Sequence, residues 1–261
     1  MTERIKQIET IVREAGKKLL AQEVVVSRHK TKNDLLTEND ILIENFIVEK
    51  IKRFDPSASV ISEENYSRGS LSGRCYVVDP IDGTCNFAAG LTLYGIQIAY
   101  FEDEVCRASV LYFPKHDDVL TAIDGNGAYF NGVRLRVDHS QKAADGMLII
   151  SDYYGDVSVP MQKQFSLVEK LQPSFLKTRH FGAACIDFSL IVCGHALAYI
   201  TYYSKVWDIS PGLLAAKEAG CVYAAIDGSP YRYGESGLVV ANSEENLKLI
   251  LNAAKDCKIE M

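Results

Sequence analysis

The stretch that says most about this chain is Asp79-Pro80-Ile81-Asp82-Gly83-Thr84-Cys85-Asn86-Phe87. It follows Tyr76–Val78, a short apolar run that is typical of a buried strand. Proline stiffens the turn after that strand, so Asp79 and Asp82 can direct their carboxylates, with the Ile81 carbonyl between them, toward one position. Gly83-Thr84 then begins a predicted helical turn, whose unbonded backbone N–H groups can hold a phosphate. The stretch therefore predicts a cation site next to a phosphoryl group.

A second pair of acidic residues, Glu63-Glu64, comes after another predicted strand, Ser59–Ile61. Carboxylates at the ends of adjacent strands can converge in space, and hard cations such as Mg²⁺ prefer oxygen ligands. Acids clustered without basic neighbours are costly unless cations neutralise them. Each of these dipeptides alone is more often part of a turn or a solvated surface. Taken together, they predict metal-assisted chemistry on a phosphate ester.

Composition and charge argue against several classes of protein and of metal site. The chain has 261 residues and a net charge of −6, which suits one large domain or two small ones and argues against direct nucleic-acid binding. No apolar stretch is long enough for a membrane span, and the charged N-terminus does not resemble a secretory signal. The seven cysteines include no C-x-x-C pair and the five histidines no H-E-x-x-H spacing, so any metal must be held by oxygen. We expect a cytoplasmic protein with reduced thiols.

The pattern of elements changes near residue 140. Before it, apolar spacing predicts helices over residues 3–22 and 40–54, and Gly95–Phe101 and Val105–Phe113 are predicted antiparallel strands. After it, strands and helices alternate. The predicted strands are Met147–Ser151, Leu197–Thr201 and Leu238–Ala241, and the predicted helices are Gln162–Leu171, Ala183–Cys193 and Ile209–Ala219. We expect an α+β half over residues 1–140 and an α/β half over residues 141–261, packed as one unit because no linker separates them.

Several motifs resemble those of the inositol monophosphatase family. Residues 79–87 resemble its D-P-I-D-G-T-T-N-F signature, and residues 62–64 resemble its G-E-E motif. The other similar segments are Asp34-Leu35-Leu36-Thr37-Glu38-Asn39-Asp40, Gly127-Ala128-Tyr129-Phe130-Asn131-Gly132, Trp207-Asp208-Ile209-Ser210-Pro211-Gly212 and Glu218-Ala219-Gly220. All stand in the family's order, from about residue 30 to residue 221, which makes the resemblance far more specific than a lone D-x-x-D.

The resemblance implies a layered αβαβα sandwich and a phosphomonoesterase that uses about two or three Mg²⁺ ions. The implied metal ligands are Glu63, Asp79, Ile81 through its carbonyl, Asp82 and Asp208. The residues implied to orient and deprotonate the attacking water are Asp40 and Thr84, supported by Glu64. The implied substrate-binding residues are Asp82, Gly83, Thr84, Gly182, Ala183, Ala184 and Thr201. A homodimer and sensitivity to lithium are further implications of the resemblance.

Two departures from the family pattern concern substrate choice. Thr201 stands where family inositol phosphatases carry a glutamate that hydrogen-bonds substrate hydroxyls, and Ala183 lacks the hydroxyl of the family's G-[ST]-A segment. Both weaken the case for inositol 1-phosphate itself. The tyrosines at 199, 202 and 203 either pack the protein or form an altered substrate rim.

Two classes of function therefore stay open. The first is a Mg²⁺-dependent phosphatase of a small phosphorylated metabolite, namely inositol monophosphate or a related sugar or polyol phosphate, attacked by a metal-activated water. Within it, fructose 1,6-bisphosphate, histidinol phosphate and 3′-phosphoadenosine 5′-phosphate are alternatives, with Lys205 as a candidate contact for a second phosphate. The second class is a non-catalytic interaction partner of the same fold, although such a protein would be expected to lose its metal ligands.

Overall fold

The computed structural model describes residues 1–31, 34–65, 68–152, 158–203, 205–255 and 257. Its helices are α1 (Thr2–Leu20), α2 (Glu38–Phe54), α3 (Thr84–Ala88), α4 (Ser158–Leu171), α5 (Ala184–Val192), α6 (Val206–Ala219) and α7 (Glu244–Lys255). The predicted helices are confirmed as α1, α2, α4, α5 and α6, but α6 begins at Val206 and not at the predicted Ile209, so Asp208 lies inside its first turn. None of the helices in the described part of the chain has both the length and the apolar character needed to cross a membrane.

A large mixed sheet contains the strands of the first half. They are β3 (Ser59–Ser62), β4 (Arg74–Asp82), β5 (Gly95–Glu102), β6 (Val105–Phe113), β7 (Asp118–Ile123), β8 (Gly127–Phe130) and β9 (Val133–Arg134), in that order. β3 and β4 are parallel, whereas each later pair is antiparallel. The structure extends β4 through Pro80 to Asp82, where a turn was predicted. Its pairing with β5 is irregular between Asp79 and Asp82, the kind of position at which a strand tolerates proline.

A small sheet contains the strands of the second half. They are β10 (Met147–Ile150), β11 (Lys177–Arg179), β12 (Ala198–Thr201), β13 (Val222–Ala225) and β14 (Leu238–Ala241), arranged in the order β11-β10-β12-β14-β13. β10 runs parallel to both β11 and β12, and β14 is antiparallel to its neighbours. A separate hairpin, β1 (Val26–Thr31) and β2 (Asp34–Thr37), precedes α2.

The alternation of side chains along each strand divides the core into layers. In β4, Tyr76 and Val78 belong to an apolar cluster with α1 and α2, whereas Cys75 and Val77 face a second cluster with α5 and α6. In β12, Tyr199 faces that second cluster from the other side. Ala198 and Ile200 of β12 instead pack toward α4 and α7. The layers therefore follow the order α1/α2, large sheet, α5/α6, small sheet, α4/α7, which confirms the expected αβαβα sandwich.

Helices α5 and α6 pack closely between the two sheets. A Cβ atom at Gly212 of α6 would lie 2.2 Å from the ring of Phe188 in α5, so only glycine permits this approach. The middle cluster contains side chains from both sides of residue 140, and the division of the chain at that residue stays a prediction. The arrangement places the first turn of α6, with Asp208, beside the end of β4.

Candidate active site

The end of β4 is tied to the start of α5 through Asp82. Its carboxylate accepts hydrogen bonds from the backbone N–H groups of Ala184, at 3.2 Å, and of Cys185. The side-chain amide of Gln97 in β5 donates a third hydrogen bond at 3.2 Å. Burial raises the pKa of Asp82, and the N–H groups of Cys185 and Ala184 oppose that rise. Asp82 therefore joins the large sheet to α5 at a buried position where a carboxylate is costly without a cation.

Asp208 lies in the first turn of α6, where its carboxylate accepts a hydrogen bond from the backbone N–H of Lys205 at 2.9 Å. Burial raises the pKa of Asp208 well above its ordinary value, and the negative charges of Asp82 and Glu63 raise it further. These causes show that carboxyl groups from β4, the loop after β3, and α6 lie close enough to repel one another. The structure thus places three of the predicted acidic ligands within electrostatic range of one another.

Asp40 is held at the start of α2 by its own helix cap. The Thr37 backbone N–H and hydroxyl donate to Asp40 Oδ2 at 2.7 Å and 2.5 Å, and Asp40 N–H donates back to Thr37 Oγ1 at 3.3 Å. This reciprocal capping box leaves Asp40 Oδ1 directed at Thr84, whose hydroxyl lies 3.1 Å away. The same hydroxyl is 2.9 Å from the Ile81 carbonyl oxygen. The predicted pair of Asp40 and Thr84 is therefore in hydrogen-bond contact.

Glu44 is a site residue that sequence reasoning missed. Its fully buried carboxylate accepts hydrogen bonds from Ser62 Oγ at 2.5 Å and from Glu64 N–H at 2.8 Å. It also accepts from Asn65 N–H at 3.0 Å and from Asn65 Nδ2 at 2.6 Å. Four donors thus fix the loop that carries Glu63. The available signal was a glutamate one helical turn after Asp40, within an otherwise apolar stripe of α2.

Gly83 separates Asp82 from α3 and has a left-handed φ of +90°. A Cβ atom there would lie 2.9 Å from both the Leu93 carbonyl oxygen and Ala183 Cβ, so no other residue fits. Gly83 is the N-cap of α3, which begins at Thr84 as predicted. That Gly83 and Thr84 bind phosphate stays a prediction. That Ala183, which faces Gly83, binds substrate also stays a prediction.

The segment Gly182-Ala183-Ala184 lies against residues 82–86, at the end of β4 and the start of α3. Asn86 donates from Nδ2 to the carbonyl oxygens of Leu93 at 2.8 Å and Phe181 at 2.7 Å, which fixes this neighbourhood. Thr201 is placed differently from the other predicted substrate-binding residues. It is fully buried, and its hydroxyl donates to the Tyr203 carbonyl oxygen at 2.9 Å.

The exposed Lys205 lies at the edge of this site. Its ammonium donates to the Tyr203 hydroxyl at 2.7 Å. Its backbone N–H group donates a hydrogen bond to the Asp208 carboxylate, as described above. Whether Lys205 contacts a second phosphate stays a prediction.

The Glu218-Ala219-Gly220 motif holds the C-terminal end of α6 in place. Glu218 accepts hydrogen bonds from the backbone N–H groups of Gly125, at 2.9 Å, and Gly127, at 2.7 Å, in the turn between β7 and β8. Gly220 ends the helix with a φ of +95°. The motif therefore fixes α6, and with it Asp208, against the large sheet.

The donor atoms fit a hard divalent cation. Within the described ranges, no three side chains of His, Cys, Asp or Glu are gathered tightly enough to form a complete metal centre by themselves. Yet burial, followed by the negative charges of Asp82 and Glu63, raises the pKa of Asp208, and a cation would relieve that cost. The donors are all oxygen atoms, which Mg²⁺ and Ca²⁺ prefer. The identity and number of the ions stay predictions.

Comparison with known proteins identifies the family. A family model described as "Inositol monophosphatase family" matches residues 1–258. The chain is 32% identical over 232 residues to the Nus factor SuhB of Pasteurella multocida, covering 87% of this chain and 85% of that protein. It is 29% identical over 210 residues to the fructose-1,6-bisphosphatase/inositol-1-monophosphatase of Thermotoga maritima, covering 80% and 78%. Its fold matches the solved Thermotoga maritima IMPase TM1415 with a TM-score of 0.87, at 24% identity and 98% coverage of both chains. The chain belongs to the inositol monophosphatase family.

Proposed function

We propose that this protein is a divalent-cation-dependent phosphatase of a small phosphorylated metabolite, with inositol monophosphate or a related polyol or sugar phosphate as substrate. The observation that carries the proposal is the contact of Thr84 with Asp40, next to the mutually repelling carboxyls of Asp82, Asp208 and Glu63. A water-activating pair beside a cation site is what phosphoester hydrolysis requires.

In this proposal, the Asp40–Thr84 pair prepares the attacking water. Thr84 Oγ can donate its hydrogen to Asp40 Oδ1 while its lone pairs accept a hydrogen from the water. As the water oxygen attacks phosphorus, its proton passes to Thr84 Oγ and the Thr84 proton passes to Asp40 Oδ1. The Thr37 cap holds Asp40 in position for this transfer, so little reorganisation is needed.

The remaining residues bind and orient. Glu63, Asp79, Asp82, Asp208 and the Ile81 carbonyl would hold the cation, and Gly83 and Thr84 would bind the phosphate through their N–H groups. When bound, a divalent cation supplies Lewis-acid stabilisation of the phosphoryl oxygens and of the leaving alkoxide. Glu64 would support these cation ligands from the loop that Glu44 fixes. Mg²⁺ as the physiological ion, lithium sensitivity, a homodimer and a cytoplasmic location belong to the same proposal.

The test is phosphate release from a panel of compounds with Mg²⁺ and with EDTA. The panel contains inositol 1-phosphate, fructose 1,6-bisphosphate, histidinol phosphate and 3′-phosphoadenosine 5′-phosphate. We expect Mg²⁺-dependent turnover of a polyol or sugar monophosphate above the others, abolished in Asp82→Asn. Folded, cation-saturated protein that releases no phosphate from any of them would contradict the proposal.

A second function is favoured by one finding, the similarity to a protein named Nus factor SuhB. The chain would then contact other macromolecules as well as, or instead of, hydrolysing phosphate esters. The two functions can be separated with Asp82→Asn, which should remove turnover and leave an outer binding surface intact. If cells that carry only this variant behave like wild type, the cellular role is the interaction; if they behave like a deletion strain, the role is catalysis.

A further inference from the structure

The carboxyl ends of three parallel strands meet beside the candidate active site. β10 is parallel to β11 and to β12, so the chain leaves all three strands at the same edge of the small sheet. In open sheets with parallel strands, ligands bind in the crevice beyond these ends. The residues there are Ser151 and Asp152 after β10, His180 to Gly182 after β11, and Thr201 to Tyr203 at the end of β12.

Asp152 reaches from this edge to the loop that holds Asp82. A Cβ atom at Gly182 would lie 3.2 Å from Asp152 Oδ2 and 3.2 Å from Asn86 Nδ2. The side chains of Asp152 and Asn86 therefore both lie next to the backbone of Gly182. Two residues further on, Ala184 N–H donates to Asp82. The negative charge of Asp152 also contributes to the raised pKa of Asp82, which agrees with their being close. Asp152 thus borders the place where a bound phosphate ester would extend beyond its phosphoryl group.

Asp152 places a carboxylate at this edge, which Thr201 does not. Thr201 is fully buried, and its hydroxyl is engaged by the Tyr203 carbonyl. Asp152 is exposed, and its electrostatic neighbour on this edge is His180: desolvation raises the pKa of the Asp152 carboxyl, and the charge of His180 lowers it. A carboxylate accepts strong, charge-assisted hydrogen bonds from hydroxyl groups and repels a second phosphate. The Asp152 carboxylate therefore suits the hydroxyl groups of a neutral polyol.

We propose that Asp152 determines specificity by accepting hydrogen bonds from hydroxyl groups of a polyol or sugar monophosphate, on the side away from its phosphate. The inference rests on the proposed phosphatase function and names the substrate class for the same site. It also explains how the chain can manage without a glutamate at position 201. The carboxylate comes from the end of β10, the strand that pairs with β12.

The test compares two substrates in Asp152→Ala, Asp152→Asn and wild type. Inositol 1-phosphate has hydroxyl groups near the ester, whereas p-nitrophenyl phosphate has none. Losing a charge-assisted hydrogen bond in Asp152→Ala should raise KM for inositol 1-phosphate by about tenfold or more, with a small change in kcat. The rate with p-nitrophenyl phosphate should stay within about twofold of wild type, because the chemistry is untouched. The exposed Asp145→Asn on the same half of the chain is the matched control, and melting temperatures verify folding.

Each other outcome has a definite reading. Equal losses with both substrates would overturn the inference, because Asp152 would then act through Asp82 and the cation site. Unchanged KM for inositol 1-phosphate would overturn it as well. If wild type releases phosphate from neither substrate nor from any compound of the panel above, the proposed function fails and this inference fails with it. If wild type is active on another phosphate ester but not on inositol 1-phosphate, the phosphatase function stands and only the inference is overturned.

Discussion

The buried carboxylate of Glu44 accepts a hydrogen bond from the Ser62 hydroxyl at 2.5 Å and thereby joins α2 to the loop that carries Glu63. In the family motif that the loop resembles, glycine stands at the position of Ser62. The serine here adds a donor to a carboxylate that also accepts from Glu64 and Asn65. Glu44 therefore fixes the loop that presents the proposed cation ligand Glu63.

We predict that Glu44→Gln weakens cation binding. The amide nitrogen would replace one carboxylate oxygen and face either Glu64 N–H or Asn65 N–H with a second donor, so the loop would shift. Losing a residue that orients a metal ligand typically costs about 10–100-fold in metal affinity or activity. The measurement is the Mg²⁺ concentration for half-maximal turnover, with Glu49→Gln as the control on the exposed side of the same helix, where Glu49 pairs with Arg53. An unchanged Mg²⁺ dependence in folded Glu44→Gln would contradict the assigned role.

The Thr37 cap predicts a joint effect on stability and catalysis. Thr37→Ala removes the hydroxyl that donates to Asp40 Oδ2 and accepts from Asp40 N–H. We expect a loss of about 1 kcal/mol in the free energy of unfolding, together with a several-fold lower kcat because Asp40 loses its fixed orientation. The measurements are urea unfolding and turnover. Thr10→Ala, at an exposed position of α1, is the control, and a stability loss with normal kcat would separate the cap from catalysis.

Asp208 predicts opposite effects of one substitution with and without cations. In EDTA, Asp208→Asn should be as stable as wild type or more so, because it removes a buried charge that Asp82 and Glu63 repel. With Mg²⁺ at about a hundred times its Kd, wild type should gain about 2.7 kcal/mol, and the variant much less. Thermal unfolding in both conditions checks this. Equal stabilisation of the two proteins by Mg²⁺ would remove Asp208 from the cation site.

Asp187 of α5 predicts a pH dependence of stability. Burial raises its pKa well above the ordinary value, and the charges of Asp82 and Asp152 raise it further. The folded protein therefore holds this proton more tightly than the unfolded chain. The stabilisation is complete below the unfolded pKa, about 3.9, and is lost as pH rises toward the raised folded value.

Asp187→Asn should therefore flatten the fall in stability with rising pH. The measurement is urea unfolding in EDTA at several pH values from about 4 to 8, with exposed Asp145→Asn as the control. Asp82 and Asp208 would still contribute, so we expect a shallower slope and not a level line. The same slope as wild type would show that Asp187 does not titrate in this range.

Sequence reasoning reached the fold because the strongest elements carry clear patterns. The apolar stripes of α1 and α2 and the paired strands β5 and β6 are local features that survive folding. β11 and β13 were not predicted because they are short edge strands of the small sheet. β11 is held by pairing with β10, and β13 by pairing with β14. Lys177–Arg179 in particular shows no alternation. Such strands depend on their neighbours more than on their own residues.

The candidate site divides in the same way. The contact of Asp40 with Thr84 follows from motifs in which both residues match the family, so these residues could be named from the sequence. The roles of Glu44 and Asp152 could not, because each depends on which distant backbone groups the fold brings to it. Burial of the Thr201 hydroxyl against Tyr203 is likewise a tertiary fact that a position in a motif does not contain.

The most direct test of the central claim is phosphate release from inositol 1-phosphate by wild type, Thr84→Ser and Thr84→Ala, with Mg²⁺ and with EDTA. We predict Mg²⁺-dependent turnover by wild type, most of it retained in Thr84→Ser, which keeps the hydroxyl beside Asp40. Thr84→Ala should lose about 10²–10³ in kcat, because the attacking water loses its oriented partner. Turnover by folded Thr84→Ala equal to that of wild type would contradict the account.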